Sequence, residues 1–215
     1  MNTILFDFDG TVMDTNELIV QSFQHTYKTI SGKEKKREDI LNSFGEPLSI
    51  TLKREVDIPV EEAIEIYRDF HYGQFEKFIS LFDGIESVIK ELFDRGYKLG
   101  IVTSRLKRTT MMGLTKYGID QYFKTIVAAD DCTLHKPHPE PILKALEKLG
   151  SQPEKALMIG DSPFDIKSAR NANVKSAVVS WSVLSKELYM NEKPNYVINK
   201  VEDILILVDN INNTQ

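Results

Sequence analysis

Cys132 is the only cysteine in the 215-residue chain. No intrachain disulfide can form, and the expected compartment is reducing and cytoplasmic. A basic excess is also missing: the net charge is −5. That argues against a general nucleic-acid binder, which carries a positive footprint, but leaves room for a small anionic substrate held by a few local cations. No apolar run reaches the length of a membrane span, and the N-terminus has no basic segment followed by a signal-like apolar stretch. Internal repeats and low-complexity tracts are absent as well. What remains, with 41% hydrophobic and 27% charged residues, is the composition of a soluble globular protein. The length suits one well-buried domain, or one with a smaller companion. Composition leaves the oligomeric state open.

Short apolar runs alternate with amphipathic stretches. "TILFDF" (3–8), "KLGIVTS" (98–104), "TIVAA" (125–129), "KALMIG" (155–160), "SAVVS" (176–180) and "YVIN" (196–199) read as strands. Helical patterns occupy 84–95, 106–117, 139–149, 164–172, 183–190 and 201–211. Strands separated by helices of this length predict an α/β fold: a Rossmann-like parallel sheet with helices on both faces. Residues 15–82 break the rhythm with four helical patterns and no convincing strand, which predicts a small all-helical second domain inserted into a core made of 1–14 and 83–215. Asp83 is the expected N-cap of the helix that resumes the core, and the tail "NINNTQ" (210–215) is expected to fray.

Polar groups cluster at the predicted strand ends. The first strand ends in Asp7-Phe8-Asp9 and the second in Thr103-Ser104. The third leads into "HKPHPEP" with Lys136, and the fourth ends in "GDSPFD" with Asp161 and Asp165. In a parallel sheet these ends share one edge, where ligands bind. Buried carboxylates need a countercharge or a metal, and oxygen ligands suit Mg²⁺. Acids around a cation, with a lysine and hydroxyls beside them, form a set able to bind a metal and a phosphoryl group together. The period of two along a strand would place the side chains of Asp7 and Asp9 on one side. Taken singly, each residue has a blander reading: strand-end hydroxyl, solvated lysine, turn residue or first-turn helix acid. Such readings are preferred for His135 and His138 (structural or exposed), Cys132 (packed), and Arg105, Lys107 and Arg108 (a solvated helix start), although Arg105 is placed to reach a substrate.

In this order, "DFDGT", "IVTS", "KP" and "GDSPFD" resemble the four motifs of the haloacid dehalogenase superfamily of phosphohydrolases. The resemblance implies Asp7 as nucleophile and Asp9 as general acid and then base, its backbone carbonyl also a metal ligand. It further implies Thr103 and Ser104 on the phosphoryl group, Lys136 between Asp7 and phosphate, and Mg²⁺ held by Asp7, Asp9, Asp161 and Asp165. The all-helical insertion at 15–82 stands in the position of the family's helical cap. Within the superfamily the chain is most similar to the phosphoglycolate-phosphatase-like group. "TNELIVQSFQHT" (15–26), "GYKLGIVTS" (96–104) and "EPILKALEKLGS" (140–151) are similar to its inorganic pyrophosphatase branch. That implies pyrophosphate as substrate, with phosphoglycolate or a sugar phosphate as the alternative and a phosphoglucomutase less favoured. A phosphate-accepting receiver domain fits poorly, because here the acid pair comes first and further acids follow the lysine. Lys53 and Arg54 are the cap cations nominated on charge for a second phosphate, although a solvated helix face is the preferred reading of each. Glu46, in "FGEPL" (44–48), is expected to point away from an anion or to meet a metal.

Overall fold

Ile4, Leu5 and Phe6 are wholly buried, yet they pack into two different cores. The computed structural model, which describes residues 1–213, shows why. Strand β1 (Thr3–Phe6) lies inside a six-stranded parallel sheet. Neighbouring side chains point to opposite faces, so Ile4 and Phe6 join Leu99, Ile101, Leu157 and Ile159 on one side. Leu5 joins Val102, Val127 and Met158 on the other. Both faces are covered by helices, hence the uninterrupted apolar strands.

Two short strands frame the helical insertion: β2 (Met13–Asp14) and β3 (Ser80–Leu81). They pair antiparallel, Met13 opposite Leu81 and Asp14 opposite Ser80. Between them run α1 (Asn16–Ser31), α2 (Arg37–Leu41), α3 (Leu48–Glu55) and α4 (Val60–Phe78). The four helices share an apolar cluster that includes Val20, Phe23, Ile40, Leu52 and Tyr67 and takes in Leu184 of the core, with Phe23 edge-on to Tyr67 at 5.0 Å. The β2–β3 pair was not expected from the sequence, since two-residue strands carry no periodicity.

The core continues with α5 (Ile85–Asp94), β4 (Lys98–Val102), α6 (Lys107–Lys116), β5 (Thr125–Val127) and α7 (Glu140–Leu149). It closes with β6 (Ala156–Gly160), α8 (Pro163–Asn171), β7 (Lys175–Val179), α9 (Lys186–Met190), β8 (Tyr196–Ile198) and α10 (Asp203–Asn213). The N-cap of α5 is Gly84, at φ 81°, and not Asp83; the left-handed backbone needed there favours glycine. Helix α10 runs to Asn213, past the start of the expected frayed tail, whose last two residues lie outside those described.

Strand order is β5-β4-β1-β6-β7-β8. From β1 the chain winds outward to β4 and β5, then crosses back to β6 on the other side of β1. That reversal opens a crevice beyond the carboxyl end of β1, where ligands sit in such sheets.

Candidate active site

β1 ends at Phe6, and Asp7 stands just beyond it with its N–H donating to Ile159 O at 2.8 Å. The chain then turns sharply: Gly10 N–H donates to Met13 O at 2.8 Å and Met13 N–H to Phe8 O at 2.9 Å. Gly10 has φ 73°, and a Cβ there would lie 2.3 Å from Asp161 Oδ2. Only glycine lets the turn come this close to the end of β6. Gly160 plays the same part for Asp165, since its Cβ would sit 2.4 Å from that residue's Cγ.

Asp7, Asp161 and Asp165 are buried and bring one carboxylate oxygen each within 4.8 Å of one another. Among the described residues one ammonium pairs with two of them, Asp7 and Asp165. Lys136 Nζ lies 2.6 Å from Asp165 Oδ1 and 2.9 Å from Asp7 Oδ1, and donates to Val102 O at 3.3 Å. Its side chain is 2% exposed. Burial works against the charge of Lys136, but Asp165 and Asp7 outweigh it and hold the ammonium protonated well above the usual lysine range. Asp7 is pushed up to about 7, first by burial and then by Asp165 and Asp9, with Lys136 opposing. Burial also raises Asp161 well above the carboxylate range, reinforced by Asp165 and Asp7 and opposed by a 3.0 Å hydrogen bond from Ser182 Oγ.

Asp165 is also a helix cap. Its Oδ2 accepts from Ser162 N–H at 3.1 Å and Ser162 Oγ at 2.6 Å, closing a capping box at the start of α8. The donor set fits Mg²⁺. Three crowded carboxylates face one ammonium, and Asp7 Oδ1 has no hydrogen-bond partner despite its ion pair. A hard, oxygen-seeking cation supplies the missing positive charge.

Asp9 is held elsewhere. β1 has ended by this point, yet Asp7 and Asp9 both line the same cavity. The Asp9 carboxylate is gripped by Arg105, with Nε 3.0 Å from both oxygens and a terminal nitrogen 2.8 Å from Oδ1, and Thr15 Oγ1 donates to Oδ1 at 2.5 Å. Burial would raise Asp9, but Arg105's charge and hydrogen bonds, helped by Thr15, bring it below the usual range. The expectation of a solvated Arg105 is therefore corrected: its side chain is 7% exposed. Lys107 does pair at the surface with Asp131, and the exposed Arg108 lies over the Tyr72 ring.

These groups open onto one cavity of about 310 Å³ between core and cap. Asp7, Asp9, Thr103, Ser104, Lys136 and Asp161 line it; Asp165 sits behind Lys136. Buried Thr103 accepts Arg105 N–H at 3.1 Å, and Ser104 Oγ donates to Gly45 O of the cap at 3.2 Å. His135 also lines the cavity, whereas His138 is exposed and accepts from Glu140 N–H. Cys132 packs against the core.

The nominated cap cations are not part of the lining. Lys53 is exposed, and Arg54 pairs with Glu46 at 2.9 Å and Glu55 at 3.4 Å. Glu46 does line the cavity, but its carboxylate is satisfied by Arg54 and by Thr51 at 2.7 Å. The cap cation on the wall is Arg68 of α4, half-buried and without an ion-pair partner among the described residues. The sequence held the signal: Ile64, Arg68, His71 and Tyr72 share one face of α4 at helical spacing.

A family model described as haloacid dehalogenase-like hydrolase matches residues 4–179. A protein named pyrophosphatase PpaX from Bacillus cereus is 40% identical over 212 residues, covering 99% of this chain and 98% of that protein. Among solved structures, a haloacid dehalogenase-like family hydrolase from Streptococcus pneumoniae superposes with a TM-score of 0.87 at 26% identity. It covers 97% of this chain and 98% of its own. A predicted phosphatase from Clostridium acetobutylicum gives 0.86 at 27%, covering 96% and 97%. A match over most of the chain, with the acids, hydroxyls and lysine meeting at one sheet edge, means that this chain belongs to the haloacid dehalogenase-like hydrolases and cleaves phosphoric esters or anhydrides.

Proposed function

We propose that the chain hydrolyses inorganic pyrophosphate through a phosphorylated Asp7. One observation carries this reading: the cavity has Asp7 and Lys136 on its core wall and the unpaired Arg68 on its cap wall, a cation for each of two phosphates. The PpaX relatives support it.

Asp7 attacks the near phosphorus. The bond to the bridging oxygen breaks, and its electron pair leaves with the second phosphate, which takes a proton from Asp9. Water then attacks the phosphoaspartate, Asp9 takes the water's proton, and Asp7 is regenerated as phosphate departs. Lys136 neutralises charge between Asp7 and the incoming anion. Thr103 and Ser104 lie on the wall within reach of the phosphoryl oxygens. Asp7, Asp161, Asp165 and the Asp9 backbone carbonyl would hold Mg²⁺, which supplies charge neutralisation at the transferring group. The helical insertion, 15–82, acts as the cap that selects the leaving group and excludes water.

A monoester of a small organic acid or sugar is the second reading. It is favoured by the apolar side chains Ile19, Phe23, Phe44 and Leu48 on the same wall. The test is a panel of pyrophosphate, phosphoglycolate and a hexose phosphate with Mg²⁺ and with chelator, on wild type and Asp7→Asn. Pyrophosphate should give the highest kcat/KM, lost in the chelator and in the variant. Higher turnover of an ester would replace the substrate, and an active Asp7→Asn would exclude the covalent route.

A further inference from the structure

Arg105 occupies both carboxylate oxygens of Asp9, one of them shared with Thr15. The guanidinium sits between the rings of Phe8 and Phe75, 5.7 and 5.9 Å from their centres, and makes two contacts to Asp9 through Nε and one through a terminal nitrogen. Its other terminal nitrogen lies 2.9 Å from His71 Nε2. A guanidinium has donors only, so His71 accepts at Nε2 and carries its proton on Nδ1, 3.1 Å from Ser22 Oγ. Ser22 donates in turn to Leu18 O at 2.6 Å. A directed chain thus runs from α1 and α4 of the insertion, through Arg105, to the proposed proton carrier. Arg105 also lines the cavity.

We propose that Arg105 changes partner during turnover: it holds Asp9 in the resting enzyme and passes to the anionic leaving group of the substrate, which frees Asp9 and selects for such leaving groups. The inference rests on the reading of Asp9 as proton carrier. A planar fork that matches a carboxylate matches a phosphate equally well. A phosphate or carboxylate on the leaving group therefore replaces what Arg105 gives up. A neutral leaving group offers no replacement, so a buried, hydrogen-bonded pair would have to break uncompensated, which is unfavourable. The anion thereby admits its own general acid. Arg68 stays outside this exchange, since it contacts neither Asp9 nor Arg105.

The experiment compares wild type, Arg105→Met and Arg105→Lys on pyrophosphate, phosphoglycolate and phenyl phosphate, with thermal melts as a check on folding. Wild type should favour the two substrates with anionic leaving groups. Arg105→Met should lose about tenfold to a hundredfold in kcat/KM on both, the loss expected for one charge-assisted contact. On phenyl phosphate its kcat should rise, because Asp9 is no longer held. Arg105→Lys, charged but without the fork, should fall between them. Methylenediphosphonate, a pyrophosphate analogue that cannot be hydrolysed, should bind Arg105→Met more weakly by a similar factor. Equal losses on all three substrates in a folded variant would mean a structural role and overturn the exchange, as would unchanged selectivity. If Arg105→Met does not fold, unchanged selectivity in Arg105→Lys overturns it. A wild type inert on all three substrates would instead bring down the proposed pyrophosphate hydrolysis, and this inference with it.

Discussion

Lys136→Met should unfold more easily than any surface substitution, and magnesium should repair much of the damage. Methionine keeps most of the apolar stem, so little packing is lost. What disappears is the only ammonium paired with Asp7 and Asp165 among the described residues, in a site where the lysine side chain is 2% exposed. Removing one partner of a buried ion pair costs about 3–5 kcal/mol. Two pairs share this lysine, which argues for the upper end. The acids can relieve part of the strain by taking up a proton, which argues for the lower. A loss of about 3–5 kcal/mol would be a large fraction of a total stability of about 5–15 kcal/mol. Urea denaturation in chelator, followed by circular dichroism, measures it. Magnesium at a hundred times its dissociation constant should return about 2.7 kcal/mol. The return should be larger for the variant than for wild type at equal concentration, because the ion then faces three acids with no competing ammonium. A loss below about 1 kcal/mol in chelator would refute the idea that Lys136 neutralises this cluster.

Arg68→Ala should lower kcat/KM for pyrophosphate by about tenfold to a hundredfold, the worth of one charge-assisted contact, while Arg54→Ala stays within about twofold; the reverse order would restore the α3 cations as ligands. His71 is pushed down to about 3, mainly by burial and then by Arg105. Between that value and about 6.5 the unfolded chain binds a proton that the folded chain refuses. Stability therefore falls as pH drops below about 6.5, by at most about 1.4 kcal/mol per pH unit from this group. His71→Gln should lack that part of the slope between pH 7 and pH 5 in urea melts, and an identical slope would show that His71 does not titrate this way.

Much of the molecule was legible because its signals are local and strong. The apolar runs of β1, β4 and β6 end in polar residues, and parallel topology alone brings those ends together. For Arg105 a reach toward substrate was legible, but its grip on Asp9 was not. Arg105 stands beside Lys107 and Arg108, and nothing in a run of cations says which one turns inward. The slot between Phe8 and Phe75 decides, and those residues are far apart in sequence. Charge alone points to Lys53 and Arg54 and ignores helical phase. Phase would have pointed to Arg68, on the face of α4 that also carries Ile64 and His71. The strand reading of 3–8 also overran by two residues, Asp7 and Phe8, since β1 ends at Phe6 and a turn built on Gly10 follows.

The pairing of Met13 with Leu81 and of Asp14 with Ser80 has a further consequence. The chain leaves the core and returns to it at neighbouring points. From the core's side, the whole helical segment is a side loop whose two ends are already joined. Closing a longer loop costs little more than closing a short one, since the entropy grows only with the logarithm of length. The stem therefore tolerates large changes in what it carries. Lineages could exchange or resize the helices above it, and with them the wall that meets the leaving group, while the sheet and its acids fold as before. By the same token, a graft of a related insertion onto residues 14 and 80 should give a folded enzyme with the old chemistry and a new substrate.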